Sequence, residues 1–221
     1  MSESRFDRTA DRYAASAAAK DWTRFVELCR PRPDDRALDV AAGPGFLSAA
    51  LAPLVAEVVA LDESEALLSH APKGVTRVVG AAERLPFDDG TFTLVTIVNS
   101  LHHVGDMAAV LAEMVRVLAP VGRIAVQDYL ADDDPATAER WDAVERLRDG
   151  GHRKLPRRGE VAELLAGHGL RLEEEREWRT TWQLAPWLDM ADTPQAARDH
   201  VHEMVGADDF EATAWMGRFG R

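Results

Sequence analysis

Apolar residues in this chain fall into short, nearly unbroken runs separated by stretches with helical spacing. Ala37–Val40, Val58–Leu61, Val75–Val79, Phe92–Val98 and Ile124–Val126 are the runs. Strands covered on both faces carry this kind of near-continuous apolar pattern. Between them, Phe46–Leu54 and Glu65–Ala71 read as helices, the second closed by Pro72 and Gly74. Met107–Leu118 places Val110, Leu111, Met114, Val115 and Leu118 on one helical face. Strand and helix alternate, which predicts an α/β fold with a mostly parallel sheet and helices on both faces.

After Asp128 the rhythm changes. An acidic loop, 131–135, leads to a predicted helix over Ala136–Arg148 and a loop over Asp149–Gly159. Glu160–His168 reads as a helix stopped by Gly169, and Leu170–Trp178 as a strand. Residues 179–221 give no clear period, although Trp182, Trp187 and Trp215 lie there. The Ala-rich 14–19 segment near the start reads as helix. No internal repeat and no linker marks a second domain.

The chain has 221 residues, 46% of them hydrophobic, enough for one domain with a full core. Its net charge of −12 argues against an electrostatic grip on nucleic acid. A single cysteine, Cys29, excludes an internal disulfide and a multi-cysteine zinc site, and its apolar surroundings place it in the core. No stretch approaches the ~20 apolar residues of a membrane span. The acids among the first residues do not suit a secretory leader, so a cytoplasmic location is expected.

The chemistry concentrates in Leu38-Asp39-Val40-Ala41-Ala42-Gly43-Pro44-Gly45 and in Val58-Val59-Ala60-Leu61-Asp62. Each is a strand with an acid near or at its end, and the first runs into a small-residue turn that lets a ligand approach the backbone. A dinucleotide loop fits this spacing too, with Asp62 about 20 residues on as the ribose acid. Asp39 argues the other way, because a pyrophosphate on this turn would face a carboxylate at close range. S-adenosylmethionine (SAM), with an ammonium, a sulfonium and a ribose, tolerates both acids. Asp39 has a plain structural alternative as a brace for the loop amides, and Asp62 as a solvated strand end.

Five segments carry a family resemblance: Leu38–Gly45, Val59–Asp62, Gly80–Phe87, Thr91–Val104 and Glu113–Asp128. Together they resemble the class I SAM-dependent methyltransferases, and within them the ubiquinone/menaquinone C-methyltransferase-like small-molecule group. The resemblance implies a Rossmann-like sheet of seven strands in the order 3-2-1-4-5-7-6. It implies a single domain over 1–221, with a core at 35–178, an N-terminal lid at 1–30 and an uncertain segment at 179–221. The lid and the region after strand five would form a small helical cap. Ala41, Gly43 and Gly45 would contact the methionine part of SAM, and Asp62 the ribose. Glu63 would lie toward adenine and Ala82 would offer its N–H to the ring. Asn99 and Leu101 would line the sulfonium pocket, and Tyr13 would close over the cofactor. Ala81 stands where the family usually has an adenine-binding Asp, which leaves Glu83 as a substitute. Thr93 and the turn Ala119-Pro120-Val121-Gly122 also depart from the pattern, and the family's seventh strand is not evident.

The segment Asn99-Ser100-Leu101-His102 is neither an amine-methylating Asn/Asp-Pro-Pro-Tyr/Phe signature nor a carboxylate set for a metal. A small organic acceptor and a metal-independent reaction are therefore expected. Histidine is the natural base near neutral pH. His102 and His103 follow strand four, at the sheet face where ligands bind. If that segment is extended, one points to the pocket and His103 packs beneath the loop. His152 lies in an Arg-Asp-x-x-His element, Arg148–His152, that resembles one of the quinone-methyltransferase-like group. Asp128 is a further, weaker candidate. His70, His168, His200 and His202 read as helix-surface residues. Trp182 and Trp187 suit either a cap wall or plain core packing. Transfer of a methyl group to carbon or oxygen is the favoured reading. A methyltransferase-fold cyclase or decarboxylase, or a non-catalytic SAM-binding protein, is the alternative. Monomer and homodimer are both compatible with the sequence.

Overall fold

The computed structural model describes residues 10–12, 14–15 and 20–221. In the interior of its sheet lies β1 (Arg36–Val40), parallel to β2 (Glu57–Asp62) on one side and β4 (Phe92–Val98) on the other. β3 (Thr76–Val79) continues beyond β2, and β5 (Leu118–Leu130) beyond β4, again parallel. A long β7 (Asp209–Gly220) lies between β5 and β6 (Arg171–Gln183) and runs antiparallel to both. The order is β3-β2-β1-β4-β5-β7-β6.

Alternation along β1 sorts its residues between two cores. Leu38 and Val40 join Leu61, Ile97 and the apolar face of α4 (Met107–Val117). Ala37 joins Leu94 and the buried residues of α1 (Thr23–Cys29) and α2 (Phe46–Leu51), Cys29 among them. The helices start where side chains can accept orphan amides. Ser64 does so for α3 (Glu65–Ser69), Asp106 for α4 and Asp134 for α5 (Pro135–Arg148). The helix expected over Phe46–Leu54 is α2 followed by a 3-10 turn, Ala52–Leu54. Pro53 at the start of that turn has no N–H to continue the α ladder.

A third, smaller core gathers helices around Trp182 of β6 and Phe210 of β7. α5 contributes Val144, α7 (Leu184–Met190) contributes Leu184, Trp187 and Leu188, and α8 (Gln195–Val205) contributes Val201. Together with α6 (Glu160–Gly167), which packs on the first core, these helices complete the part that follows β5.

Two expectations are corrected here. The seventh strand exists: it is β7, in the segment that gave no period, and it pairs along eight residues with β5. β6 also runs on to Gln183, so the sheet does not end at 178. Gly217 explains part of the difficulty. A Cβ there would lie 2.5 Å from the Trp215 ring, so this buried strand position has no room for a β-favouring side chain.

The departures at Thr93 and at 119–122 lie at the opposite end of the sheet from the strand ends that carry Asp62 and Asp128. Thr93 donates its hydroxyl to Asp35 at 2.8 Å. The buried Arg123 guanidinium donates to Asp35 (2.6 Å) and to the carbonyls of Cys29 and Arg30 (2.6 Å each). This cluster pins the end of α1 to the sheet, while Val121 is exposed.

Candidate active site

The turn after β1 is shaped by backbone conformation. Ala41 (φ 52°), Gly43 (φ 55°) and Gly45 (φ 68°) are all left-handed. Gly45 is required twice over, because a Cβ there would lie 2.7 Å from that of Ala71. A Cβ at Gly43 would meet nothing within 4 Å, so that side of the loop is open to a ligand. The loop is held to β2 by the Ala42 N–H, which donates to the Leu61 carbonyl at 2.9 Å. The Gly43 N–H donates to Asp62 Oδ2 at 2.7 Å, and Ser64 N–H donates to Asp62 Oδ1 at 2.9 Å.

Asp39 is buried and does not reach the loop amides. It accepts hydroxyl hydrogens from Ser48 (2.7 Å) and Thr96 (2.9 Å). Burial pushes its pKa up to about 6, against the pull of the two hydroxyls, and Asp62 adds repulsion. Through these bonds Asp39 ties α2 to β4 beneath the loop. Around the open side lie further acids. Burial raises the pKa of Glu63, and the neighbouring Glu83 and Asp62 raise it further. Glu83 accepts the Gly105 N–H at 3.3 Å. Ala82 is buried beside them. An acid-rich, backbone-lined concavity of this kind suits hydroxyls and positive charge, as SAM presents.

β4 ends at Asn99 (φ 51°), whose amide oxygen accepts from the Gln127 side chain at 3.4 Å. Ser100, which sequence reasoning passed over, donates toward the Ala41 carbonyl at 3.3 Å and joins this strand end to the loop. The Leu101 side chain packs in the core. Tyr13 lies outside the described residues.

His102 and His103 both border one cavity of about 160 Å³, together with Asn99. The expectation that adjacent histidines point to opposite sides fails because 101–103 form a turn, not an extended segment. Their ring centroids lie 4.1 Å apart, with the rings tilted by 48°. His102 Nδ1 lies 2.5 Å from Asp128 Oδ1, at the end of β5. Burial opposes a charge on His102, but the Asp128 carboxylate outweighs it and lifts the pKa above the ordinary value. With Nδ1–H given to Asp128, Nε2 of the neutral ring is the atom left to accept a proton. His103 Nε2 stands 4.0 Å from Asp149.

His152 is placed differently. It is buried behind His102, with ring centroids 5.8 Å apart, and does not border the cavity. Its Nε2 bonds Asp142 at 2.8 Å, and burial lowers its pKa despite that partner. A role for His152 as base toward an acceptor is corrected to a buried, neutral support. Tyr129, Trp141, Trp182, Trp187 and Phe210 supply aromatic wall to the cavity. Of these, only Trp182 and Trp187 were legible as candidates; the others converge from β5, α5 and β7. His70, His168, His200 and His202 are at least partly exposed, as read from the sequence. Among the described residues no group of three or more His, Cys, Asp or Glu is arranged to hold a metal, and no helix is long and apolar enough to cross a membrane.

A sheet of this order with one antiparallel strand, a left-handed turn after β1 and an acid at the end of β2 define the class I methyltransferase fold. Residues 38–126 match the methyltransferase domain family Methyltransf_11. The uncharacterized methyltransferase YcgJ of Bacillus subtilis is 29% identical over 203 residues, covering 87% of this chain and 80% of that protein. The crystal structure of the YcgJ protein superposes with a TM-score of 0.86 at 22% identity, covering 90% of this chain and 97% of the other. A demethylmenaquinone methyltransferase of Mycolicibacterium gilvum is 40% identical over 134 residues, which cover 57% of this chain and 59% of that protein. The chain thus spans under two thirds of that relative's length. Residues 38–126 are thus similar to a methyltransferase domain, and the fold of the described residues is that of solved methyltransferases.

Proposed function

We propose that the chain transfers the methyl group of SAM to a carbon or oxygen of a small organic acceptor with an aromatic body. The carrying observation is the His102–Asp128 pair facing an aromatic-walled cavity and joined through Ser100 to the turn after β1. When bound, SAM supplies an already activated methyl group, so the protein's task is alignment and proton removal. Ala41, Gly43 and Gly45 hold the methionine part, Asp62 the ribose hydroxyls, and Glu63, Ala82 and Glu83 the adenine side. Asn99 stands between that site and the acceptor cavity.

Asp128 orients the His102 ring and stabilises its protonated form, and Nε2 takes the acceptor's proton. His103 is the second candidate at the same wall. The aromatic side chains keep water from the reacting atoms and stack on a ring. Several relatives are named for methylation of demethylmenaquinone, and a quinol-like or natural-product acceptor fits the same walls. Calorimetry with SAM and S-adenosylhomocysteine tests the first half of this reading. Transfer of label from SAM to a panel of hydroxylated aromatics tests the second. Tight NADH binding without SAM binding overturns it.

A further inference from the structure

Lys20 borders the same cavity as His102 and His103, although sequence reasoning gave it no role. It comes from the segment just before α1, far in sequence from the strand ends that hold the histidines. The other charged groups of the cavity wall have partners. Arg148 binds Glu145 at 2.8 Å and stacks over Trp187 at 4.3 Å. Glu211 pairs with Arg179 at 2.5 Å. Asp132, in an exposed turn, accepts the Asp134 N–H at 2.8 Å. His103 stands near Asp149, and His102 holds Asp128. Lys20 makes no salt bridge among the described residues, and its ammonium stands 5.9 Å from the centre of the Trp22 ring. Burial lowers the Lys20 pKa, and the Asp128 carboxylate, already engaged by the His102 ring, opposes that fall.

Lys20 and His102, the latter cationic once it has taken a proton, thus border one cavity with the Asp128 carboxylate as their nearby anion. An anionic oxygen placed in the cavity supplies the missing charge, whereas an ammonium group meets repulsion from Lys20. We propose that Lys20 is a specificity-determining residue that selects acceptors with an acidic hydroxyl, phenols or enols, and holds them as the oxyanion. The balance is simple: the acceptor O–H breaks, the proton goes to His102 Nε2, and the electron pair stays on oxygen beside the Lys20 ammonium. The ionised oxygen, or the ring carbon conjugated to it, is then the nucleophile. This inference rests on the acceptor cavity assigned above.

The test uses the full chain saturated with S-adenosylhomocysteine and 4-nitrophenol as the probe, whose phenolate is visible by its absorbance. Wild type should bind the phenolate and lower the probe's apparent pKa. Lys20→Met should weaken phenolate binding roughly tenfold and abolish the pKa shift, because a charge-assisted contact is lost. Lys20→Arg should restore both, and phenethylamine should bind wild type more weakly than the phenol. Calorimetry of S-adenosylhomocysteine on each variant separates the two readings. Unchanged cofactor affinity with wild-type phenolate ionisation in Lys20→Met overturns the role of Lys20 alone. A fall in cofactor affinity in Lys20→Met overturns it too, by assigning Lys20 to the cofactor. Tighter amine than phenol binding, or no saturable phenol binding to the loaded protein, overturns the substrate class. Failure of wild type to bind S-adenosylhomocysteine overturns the methyltransferase reading itself.

Discussion

Ser48 on α2 donates its hydroxyl hydrogen to Asp39 on β1 at 2.7 Å, with both side chains buried. The pair sits beneath the cofactor turn and keeps α2 seated on the sheet. The Asp39 carboxyl, pushed up to about 6 from 3.8, carries a charge at neutral pH against the cost of burial. The folded protein therefore binds more protons than the unfolded chain between about pH 4 and 6. Stability should fall as pH rises through that window and level off above it, by up to about 3 kcal/mol for a shift of roughly two units. In Asp39→Asn this part of the slope should vanish. Urea unfolding across the window measures it, and an unchanged slope in the variant rules the assignment out.

His102 should behave as a base with a raised pKa. Turnover should rise with pH through a value above the ordinary 6.5. His102→Gln should lose ~10²–10⁴ in turnover and keep near-wild-type SAM affinity. Asp128→Asn removes the anion that favours the imidazolium, so the residual profile should move to lower pH. The same pair's contribution to stability is complete below about pH 6.5 and lost as pH rises through the folded pKa. Release of S-adenosylhomocysteine against pH is the readout, and a profile unaltered by His102→Gln removes His102 from the chemistry.

Asp62→Ala should weaken SAM binding by ~1.5–3 kcal/mol for each charge-assisted bond lost. It also frees the amides of Gly43 and Ser64, so a lower Tm should accompany the weaker binding. Calorimetry and thermal unfolding of one preparation give both numbers. Wild-type affinity in the variant contradicts the ribose role.

Ala81→Asp should strengthen SAM binding by ~0.5–1.5 kcal/mol, one hydrogen bond, by placing an acceptor near the adenine amino group. No gain means that Glu83, which already holds the Gly105 N–H, fills that place.

Ala41→Gly should raise stability. A left-handed alanine costs ~1–2 kcal/mol, and glycine returns ~0.5–1 of that through chain entropy. The net gain expected in denaturant unfolding is about 0.5–1 kcal/mol. A loss shows that the alanine methyl makes a contact worth more than the strain.

The sheet was legible where both faces of a strand are buried. β1, β2 and β4 are apolar runs because helices cover them on both sides. β7 is buried too, but Gly217 must leave room for Trp215, and its first residues are exposed and polar. Its pattern therefore resembled a loop. α7 and α8 form one small core with α5 and with Trp182 and Phe210 from β6 and β7, elements distant in sequence, so their short apolar faces had no visible partner in the sequence. The cofactor turn could be read because its geometry is local. The acceptor cavity could not, since Lys20, Tyr129, Trp141 and Phe210 come from four separate elements or segments. The placement of Leu101 and His152 was not legible for a related reason. A turn and a buried loop aim side chains in ways that residue order does not reveal.

The position of β7 also sets a schedule for the newborn chain. Both of its neighbours, β5 and β6, leave the ribosome before it does, and neither pairs with the other. The outer edge of β5 and the whole of β6 therefore lack a sheet partner until residues 209–220 come between them. The same strand carries Phe210 to the acceptor cavity, so the pocket takes shape at the moment the sheet closes. A nascent chain stalled before this strand can display the cofactor turn, yet has no finished place for an acceptor.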